Sequence, residues 1–272
     1  MLSLKGSVPF RITLQTVLPG RDALPALEEQ LALLQRLGFY GVELNLPDLE
    51  AVSPAELSAL LARYDLRMTY LATGAYAKAR GLSLSSPDAA VRRDAAAGVA
   101  ANLEYAAAMG VGIILGFFKG TPLPDEARAR ADLIQSLRAV CAASDADAPI
   151  LLEATNRRET SVARTLDDAA RIVDEVGDAR LHILPDTYHM AYEETDPLGE
   201  VRRLLPRIPN LHISDDNRFF PGYGGLDFGA YLQGLQAMGY QGTLGVEGNL
   251  HTSLEADLQR TAEMLLRAAG TL

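Results

Sequence analysis

Four side chains that can bind metal or transfer protons lie at the ends of short apolar runs. They are Glu153, Asp186, His212 and Glu247, in the segments PILLE, LHILPD, NLHIS and TLGVE, and polar or glycine-rich residues follow each run. Three carboxylates and one imidazole form an oxygen-rich ligand set, which suits Mn²⁺, Mg²⁺ or Co²⁺ better than it suits a closed structural zinc site. These residue types predict one divalent-metal site and metal-assisted chemistry on an oxygenated small molecule.

The elements that must position these residues are short β-like runs, which alternate eight times with longer helical patterns. The predicted strands cover residues 12–17, 41–46, 67–72, 112–116, 150–153, 181–185, 210–214 and 243–247. Such alternation is typical of βα units, and the carboxyl ends of parallel strands meet at one mouth when the strands close into a barrel. The sequence predicts an α/β fold, a single (β/α)8 TIM barrel that occupies residues 1–272 as one domain.

An open doubly wound sheet is the alternative with the same alternation. Such a sheet usually begins with a phosphate-binding glycine turn after its first strand. In this chain LPGRD follows the first predicted strand, no GxGxxG motif occurs there, and the glycines of PGYGG come only after the seventh strand. The count of eight strands favours the barrel.

Composition narrows the classes of partner. A formal net charge of −10 and a pI near 4.9 argue against nucleic acid, because its binding depends on Lys and Arg contacts to phosphates. No apolar run approaches the roughly 18 residues that cross a bilayer, and the amino terminus lacks a signal-like apolar core. The single cysteine, Cys141, leaves no intrachain disulfide and fits a reducing compartment. We expect a soluble, cytoplasmic protein without a membrane partner.

Longer motifs around the four residues resemble a known family. They are LEATNRRET at 152–160, DTYHMAYEE at 186–194, LHISDDNRFFPGYGGLDF at 211–228 and GVEGN at 245–249, with a weaker match at SLSSPDAAVRRDA. Together they resemble the sugar isomerases and epimerases with a xylose-isomerase-like TIM barrel, nearest to the ketose 3-epimerases related to tagatose and psicose epimerases. The resemblance covers nearly the whole chain. It implies that Glu153, Asp186, His212 and Glu247 bind the metal, with Mn²⁺ as the expected ion.

The activity that the resemblance implies is 3-epimerisation of a ketose or ketose phosphate. A proton on carbon beside a ketone is weakly acidic, and a metal on two adjacent substrate oxygens stabilises the resulting cis-enediolate. Inversion needs a base on one face of the carbon and an acid on the other. Glu153 and Glu247 are the pair that matches the family's two catalytic glutamates.

Three further residues match positions of the family that contact the substrate. Glu159, His189 and Arg218 carry the donors and acceptors that a polyol requires. Arg218 is expected to stabilise negative charge, and Glu159 to hold His189 or a sugar hydroxyl. Surface ion pairs for Glu159 and Arg218, and helix capping for His189, are the structural alternatives.

Other polar residues near the strand ends receive structural interpretations. Lys119, Arg157 and Arg158 lie where the phosphate of a sugar phosphate would bind, but a solvated lysine and a free sugar are the favoured interpretation. His182 is expected at the base of the barrel, and His251 in a solvated loop. The family often carries tryptophan near its site and this chain has none, which leaves the substrate open.

The alternatives within the same superfamily are an aldose–ketose isomerase similar to hydroxypyruvate isomerase, a polyol dehydratase and a non-catalytic sugar-binding protein. Both glutamates are present, which argues against the last. An abasic-site endonuclease needs many histidines for its zinc cluster, whereas this chain has four. The expected partners are a small-molecule sugar or sugar phosphate and further copies of the chain, in a dimer or tetramer.

Overall fold

Eight parallel strands form a nearly closed barrel in the computed structural model, which describes residues 2–272. The strands are β1 (Arg11–Val17), β2 (Gly41–Asn45), β3 (Arg67–Ala72), β4 (Gly112–Leu115), β5 (Ile150–Glu153), β6 (Leu181–Leu184), β7 (Asn210–Ile213) and β8 (Thr243–Val246). Their order around the barrel is β6-β5-β4-β3-β2-β1-β8-β7. Each strand begins and ends within one residue of its predicted position. The predicted TIM-barrel fold is therefore confirmed.

Helices cover the outside of this barrel. They are α1 (Leu24–Leu37), α2 (Pro54–Arg63), α3 (Gly74–Arg80), α4 (Ala89–Ala108), α5 (Glu126–Ala143), α6 (Leu166–Val176), α7 (Thr187–Glu193), α8 (Pro197–Leu204), α9 (Phe228–Ala237) and α10 (Leu254–Ala268). In α1, Leu27, Leu31 and Leu34 are buried at helical spacing, so one face packs on the strands. Within residues 2–272, no helix has both the length and the apolar character needed to cross a membrane.

The barrel closes between β6 and β7, which contact each other just beyond the end of β6, near the mouth of the barrel. Asp186 and His212 form a parallel bridge there, and the His212 amide donates a hydrogen bond to the carbonyl oxygen of Pro185 over 2.9 Å. Two of the four predicted metal ligands are therefore neighbours across the line where the barrel closes.

Successive side chains along each strand point alternately toward the surrounding helices and into the barrel interior. Tyr70, Ile114, Leu151 and Leu184 form a small apolar cluster of their own, apart from the large core between strands and helices. Because side chains two residues apart share a face of a strand, Glu153 follows Leu151 into the interior and Asp186 follows Leu184. The apolar cluster thus forms a floor beneath the polar residues of the mouth.

Candidate metal centre

The structure brings the four predicted ligands together at the carboxyl ends of four neighbouring strands. Glu153 ends β5, Asp186 follows β6, His212 lies in β7 and Glu247 follows β8. One ligand atom from each lies within 4.8 Å of those of the other three. All four come from interior positions near the carboxyl ends of their strands, which is why residues so far apart in the chain share one site.

Two buried atoms of this cluster have no hydrogen-bond partner. His212 Nδ1 and Glu247 Oε2 are 2.7 Å apart, but they are poorly aligned for a hydrogen bond and each is left unsatisfied. His212 Nδ1 is also 4.0 Å from Oε1 of Glu153. Buried polar atoms are normally paired, so atoms that converge without pairing indicate a missing partner common to both. Three carboxylates and an imidazole facing one point fit a divalent cation.

The two glutamates differ in their preference for a proton. Burial, together with the nearby Glu247 charge, raises the pKa of Glu153 to about 8. Burial also opposes ionisation of Glu247, but Arg218 and His212 outweigh it and hold the pKa of that carboxyl well below its usual range. Two carboxyl groups whose pKa values are driven apart in one site are suited to act as an acid and a base.

Arg218 contacts the carboxylates of the cluster itself. Its guanidinium donates from Nη1 to Oδ2 of Asp186 over 2.6 Å, and Nη2 lies 3.0 Å from Oε1 of Glu247. The residue has a φ of +64°, which is unusual without glycine, and its amide donates to the carbonyl oxygen of Asp215. The alternative of a surface ion pair does not describe Arg218, which lines the cavity, as a substrate contact would, and orients two candidate ligands.

Asp186 has two roles in the structure. Its Oδ1 accepts a hydrogen bond from the backbone amide of Tyr188 at the start of α7, over 2.8 Å, while Oδ2 faces Arg218. A helix cap and a place in the cluster are therefore compatible for this residue, because the two oxygens point in different directions.

His189 is buried beside Glu153. Its Nδ1 accepts from the Asn156 backbone amide at 3.2 Å and lies 2.9 Å from the Asn156 side-chain nitrogen, while Nε2 is 3.8 Å from Oε1 of Glu153. With Nδ1 accepting, the proton of the neutral ring resides on Nε2 and faces the cavity. Asn156 holds this imidazole, so the expected contact of Glu159 with His189 is wrong, and its alternative contact with a sugar hydroxyl stays a prediction. Glu159 lines the cavity from an exposed position.

The buried state of His189 predicts a pH dependence of stability. Burial lowers the pKa of His189 to about 4, so at pH values between about 4 and 6.5 the unfolded chain binds a proton that the folded chain does not. The stabilisation is complete above pH 6.5 and is lost as the pH falls toward 4, at about 1.4 kcal/mol per pH unit. The free energy of unfolding of the metal-free protein, measured with urea, should fall between pH 7 and pH 4.5. This fall should be about 2 kcal/mol larger in the wild type than in His189→Gln. Equal losses in the two proteins would contradict this account.

Lys119 is placed very differently from its prediction. It is fully buried, and its ammonium donates to the Glu153 carbonyl oxygen and to Oγ1 of Thr155, the latter over 2.9 Å. The expectation of a solvated lysine is therefore wrong. Burial lowers the pKa of Lys119 to about 8. The Lys119 ammonium lies against the backbone at the end of β5 and does not line the cavity. Arg157 is paired with Glu193 at 2.7 Å, so neither of these two cations is free in the cavity.

Glu43 is a buried residue of the site that the sequence motifs did not reveal. It lies in the middle of β2 with no exposed surface, and its Oε2 is 2.7 Å from Nε2 of His212. A carboxylate in the apolar run GVELN was the available signal, because an acidic residue inside a strand between apolar neighbours needs a buried partner.

A cavity of about 600 Å³ opens above the cluster. Its metal side is formed by Glu153, His189, Arg218 and Glu247, and its opposite side includes Asn45, Thr73, Lys78, Phe117 and Asn249. This volume is within the range of small-molecule sites, about 300–1,000 Å³. The lining combines these polar groups with apolar faces such as Ile114 and Phe117, a mixture suited to a hydroxylated carbon skeleton.

The two histidines outside the predicted site lie elsewhere, as expected. His182 lines a separate cavity at the amino-terminal end of the strands. His251 is exposed in the loop after β8 and stacks on Tyr223, with ring centroids 4.4 Å apart.

Comparison with known proteins finds the same architecture in sugar epimerases. A family model described as a xylose isomerase-like TIM barrel matches residues 31–268. The D-psicose 3-epimerase of Enterocloster bolteae is 34% identical over 119 residues, which cover 43% of this chain and only 40% of that protein. The L-ribulose 3-epimerase of Methylomonas sp. is 26% identical over 229 residues, 83% of this chain and 79% of that one.

Solved structures extend the similarity of fold to the whole chain. A structure of L-ribulose 3-epimerase superposes with a TM-score of 0.79 at 22% identity, covering 96% of this chain and 95% of that one. The 3-keto-D-glucoside 4-epimerase of E. coli gives 0.77 at 24% identity, with 95% and 99% covered. At these identities the structures establish the shared fold alone.

Proposed function

The chain belongs to the xylose isomerase-like TIM barrel family, and from this premise we propose that it is a divalent-metal-dependent ketose 3-epimerase. The observation that carries the proposal is the pair of glutamates, Glu153 and Glu247, which approach one cavity from strands separated by β6 and β7 and have opposite pKa shifts. Curated relatives that act as ketose 3-epimerases support the choice of reaction.

The proposed roles follow from the contacts at the cavity. Glu153, Asp186, His212 and Glu247 would hold the metal, Mn²⁺ by preference. When bound, such an ion supplies positive charge that stabilises an enediolate of the substrate. One glutamate removes the proton from carbon 3 of the ketose, and the other returns a proton to the opposite face. A carboxylate has two oxygens, so binding a metal through one leaves the other for proton transfer.

Two neighbouring residues orient the reaction in this proposal. His189, kept neutral by burial, donates its Nε2 proton to a hydroxyl of the sugar. Arg218 holds Asp186 and Glu247 in place and offsets part of their charge. Glu159 lies at the cavity wall, where it is available to a more distant hydroxyl. Lys119 is buried and Arg157 is paired, which favours a free ketose, whereas Lys78 in the cavity lining would suit a ketose phosphate, so the test covers both classes.

The test is exchange of carbon-bound hydrogen with deuterated solvent in the presence of Mn²⁺, across a panel of ketoses and their phosphates. We expect deuterium at carbon 3 together with the inverted ketose. Deuterium at carbon 1 with an aldose product would assign an isomerase instead. Metal binding without exchange in any substrate would overturn both assignments in favour of a dehydratase or a sugar-binding protein.

A further inference from the structure

Beneath the candidate ligands lies a buried polar group that the proposed reaction does not use. Glu43 projects from β2 into the barrel interior, and three side chains contact its carboxylate. Oε1 accepts from Nδ2 of Asn210 at 2.8 Å and from Oγ1 of Thr13 at 3.3 Å, and Oε2 lies 2.7 Å from Nε2 of His212. All four residues have no exposed surface. A carboxylate held this closely has a specific structural task.

The direction of each hydrogen bond can be deduced. Thr243 donates to Oδ1 of Asn210 at 2.6 Å, and the amide nitrogen of Asn210 donates to Glu43. Oε1 receives the hydrogen bonds of Asn210 and Thr13, and Oε2 is the oxygen that faces Nε2 of His212. The other ring nitrogen of His212, Nδ1, points at Glu153 and Glu247.

We infer that Glu43 is a positioning residue that sets the tautomer of His212, so that Nδ1 is presented as the metal-binding atom. The inference rests on the metal site of the proposed function, but it assigns a role to a residue outside that ligand set. It also explains why Nδ1 is the ring atom left without a hydrogen bond while Nε2 has one. Carboxylates that orient ligating histidines in this way fix the ring and make it a better donor.

The neighbouring strand makes room for this pair. Gly245 of β8 is in register with His212 and with Thr13 of β1. A Cβ at position 245 would lie 2.5 Å from Oε1 of Glu43 and 2.9 Å from Cδ2 of His212, closer than real Cβ contacts. Its φ is not in the left-handed region, so this glycine is required for space and not for backbone conformation. Gly245, the first glycine of GVEGN, therefore leaves space for the Glu43–His212 contact.

Glu43→Gln tests the inference, since glutamine is similar in size but carries an amide that can donate to Nε2 and favour a proton on Nδ1. We expect Mn²⁺ binding, measured by isothermal titration calorimetry, to weaken about 10–100-fold with the far-ultraviolet circular dichroism unchanged. Thr13→Val is the matched control, because it removes one contact of Glu43 but none of His212. It should bind Mn²⁺ like the wild type.

A second measurement does not depend on the folding of a variant. In wild-type protein labelled with ¹⁵N-histidine and loaded with Mg²⁺, nuclear magnetic resonance should show the His212 proton on Nε2 and none on Nδ1. A proton on Nδ1, or equal Mn²⁺ affinity in Glu43→Gln and wild type, overturns the inference. Failure of the wild type to bind Mn²⁺ overturns the metal site and the inference together. Tight Mn²⁺ binding with the expected tautomer, but no epimerisation, sustains the inference and rejects the proposed reaction.

Discussion

Glu153→Gln and Glu247→Gln are each expected to lower kcat for ketose epimerisation about 10³-fold. Each change keeps the shape of the side chain but removes the group that exchanges a proton with carbon 3. In the proposed reaction the two glutamates face opposite sides of carbon 3, so neither can replace the other. Both variants should be assayed at saturating Mn²⁺, because each also loses a charged ligand of the candidate metal site.

Deuterium exchange at carbon 3 distinguishes the roles of Glu153 and Glu247 more clearly than kcat does. A variant that lacks one glutamate can still remove the carbon 3 proton from the epimer that faces the other glutamate. We therefore expect Glu153→Gln to exchange one epimer and Glu247→Gln to exchange the opposite one, without inversion in either case. Glu104→Gln, on the exposed side of α4, is the matched control and should keep full activity. Exchange of the same epimer by both variants would contradict a two-glutamate mechanism.

Removal of the metal is the second prediction with a large effect. Dialysis against a chelator should abolish epimerisation, and added Mn²⁺ should restore it. Without the ion, the buried carboxyl groups of Glu153 and Asp186 and the half-buried Glu247 converge on one point, and Arg218 contacts two of the three. Binding of an ion to the folded state alone stabilises it by about 2.7 kcal/mol when the free ion is at 100 times its Kd. The melting temperature should therefore rise with Mn²⁺ concentration.

Histidine variants identify the site of this stabilisation. His212→Gln should lose the Mn²⁺-dependent rise in melting temperature, because it removes a candidate ligand. His182→Gln should keep it, since that residue lies at the opposite end of the barrel. Full activity in protein shown by elemental analysis to be free of metal would refute the metal dependence.

Much of the fold followed from local patterns in the chain. Strand boundaries matched to within one residue because apolar β-like runs alternate with amphipathic helical stretches, and because eight parallel strands close most simply as a barrel. The convergence of Glu153, Asp186, His212 and Glu247 was foreseeable for a related reason. Residues at the carboxyl ends of barrel strands share one mouth whatever their separation in sequence.

The partners of these residues were decided only by the tertiary structure. Glu43 is 169 positions from His212, and Gly245 leaves the space that their contact needs. Lys119 follows an apolar strand like many solvated lysines, yet the 3-10 turn Phe117–Lys119 directs it behind Glu153. Arg218 reaches Asp186 and Glu247 from a loop with an uncommon backbone conformation.

The sequence by itself determined which residues lie at the mouth of the barrel, because the alternation of side chains along each strand and the succession of strands and helices along the chain are local patterns. The sequence did not determine which side-chain oxygen and nitrogen atoms contact one another. Those contacts depend on the register between strands and on the side chains that meet across the barrel interior, such as Thr13, Glu43 and Asn210. Distances of a few ångströms between side chains that are remote in sequence arise only when the barrel closes.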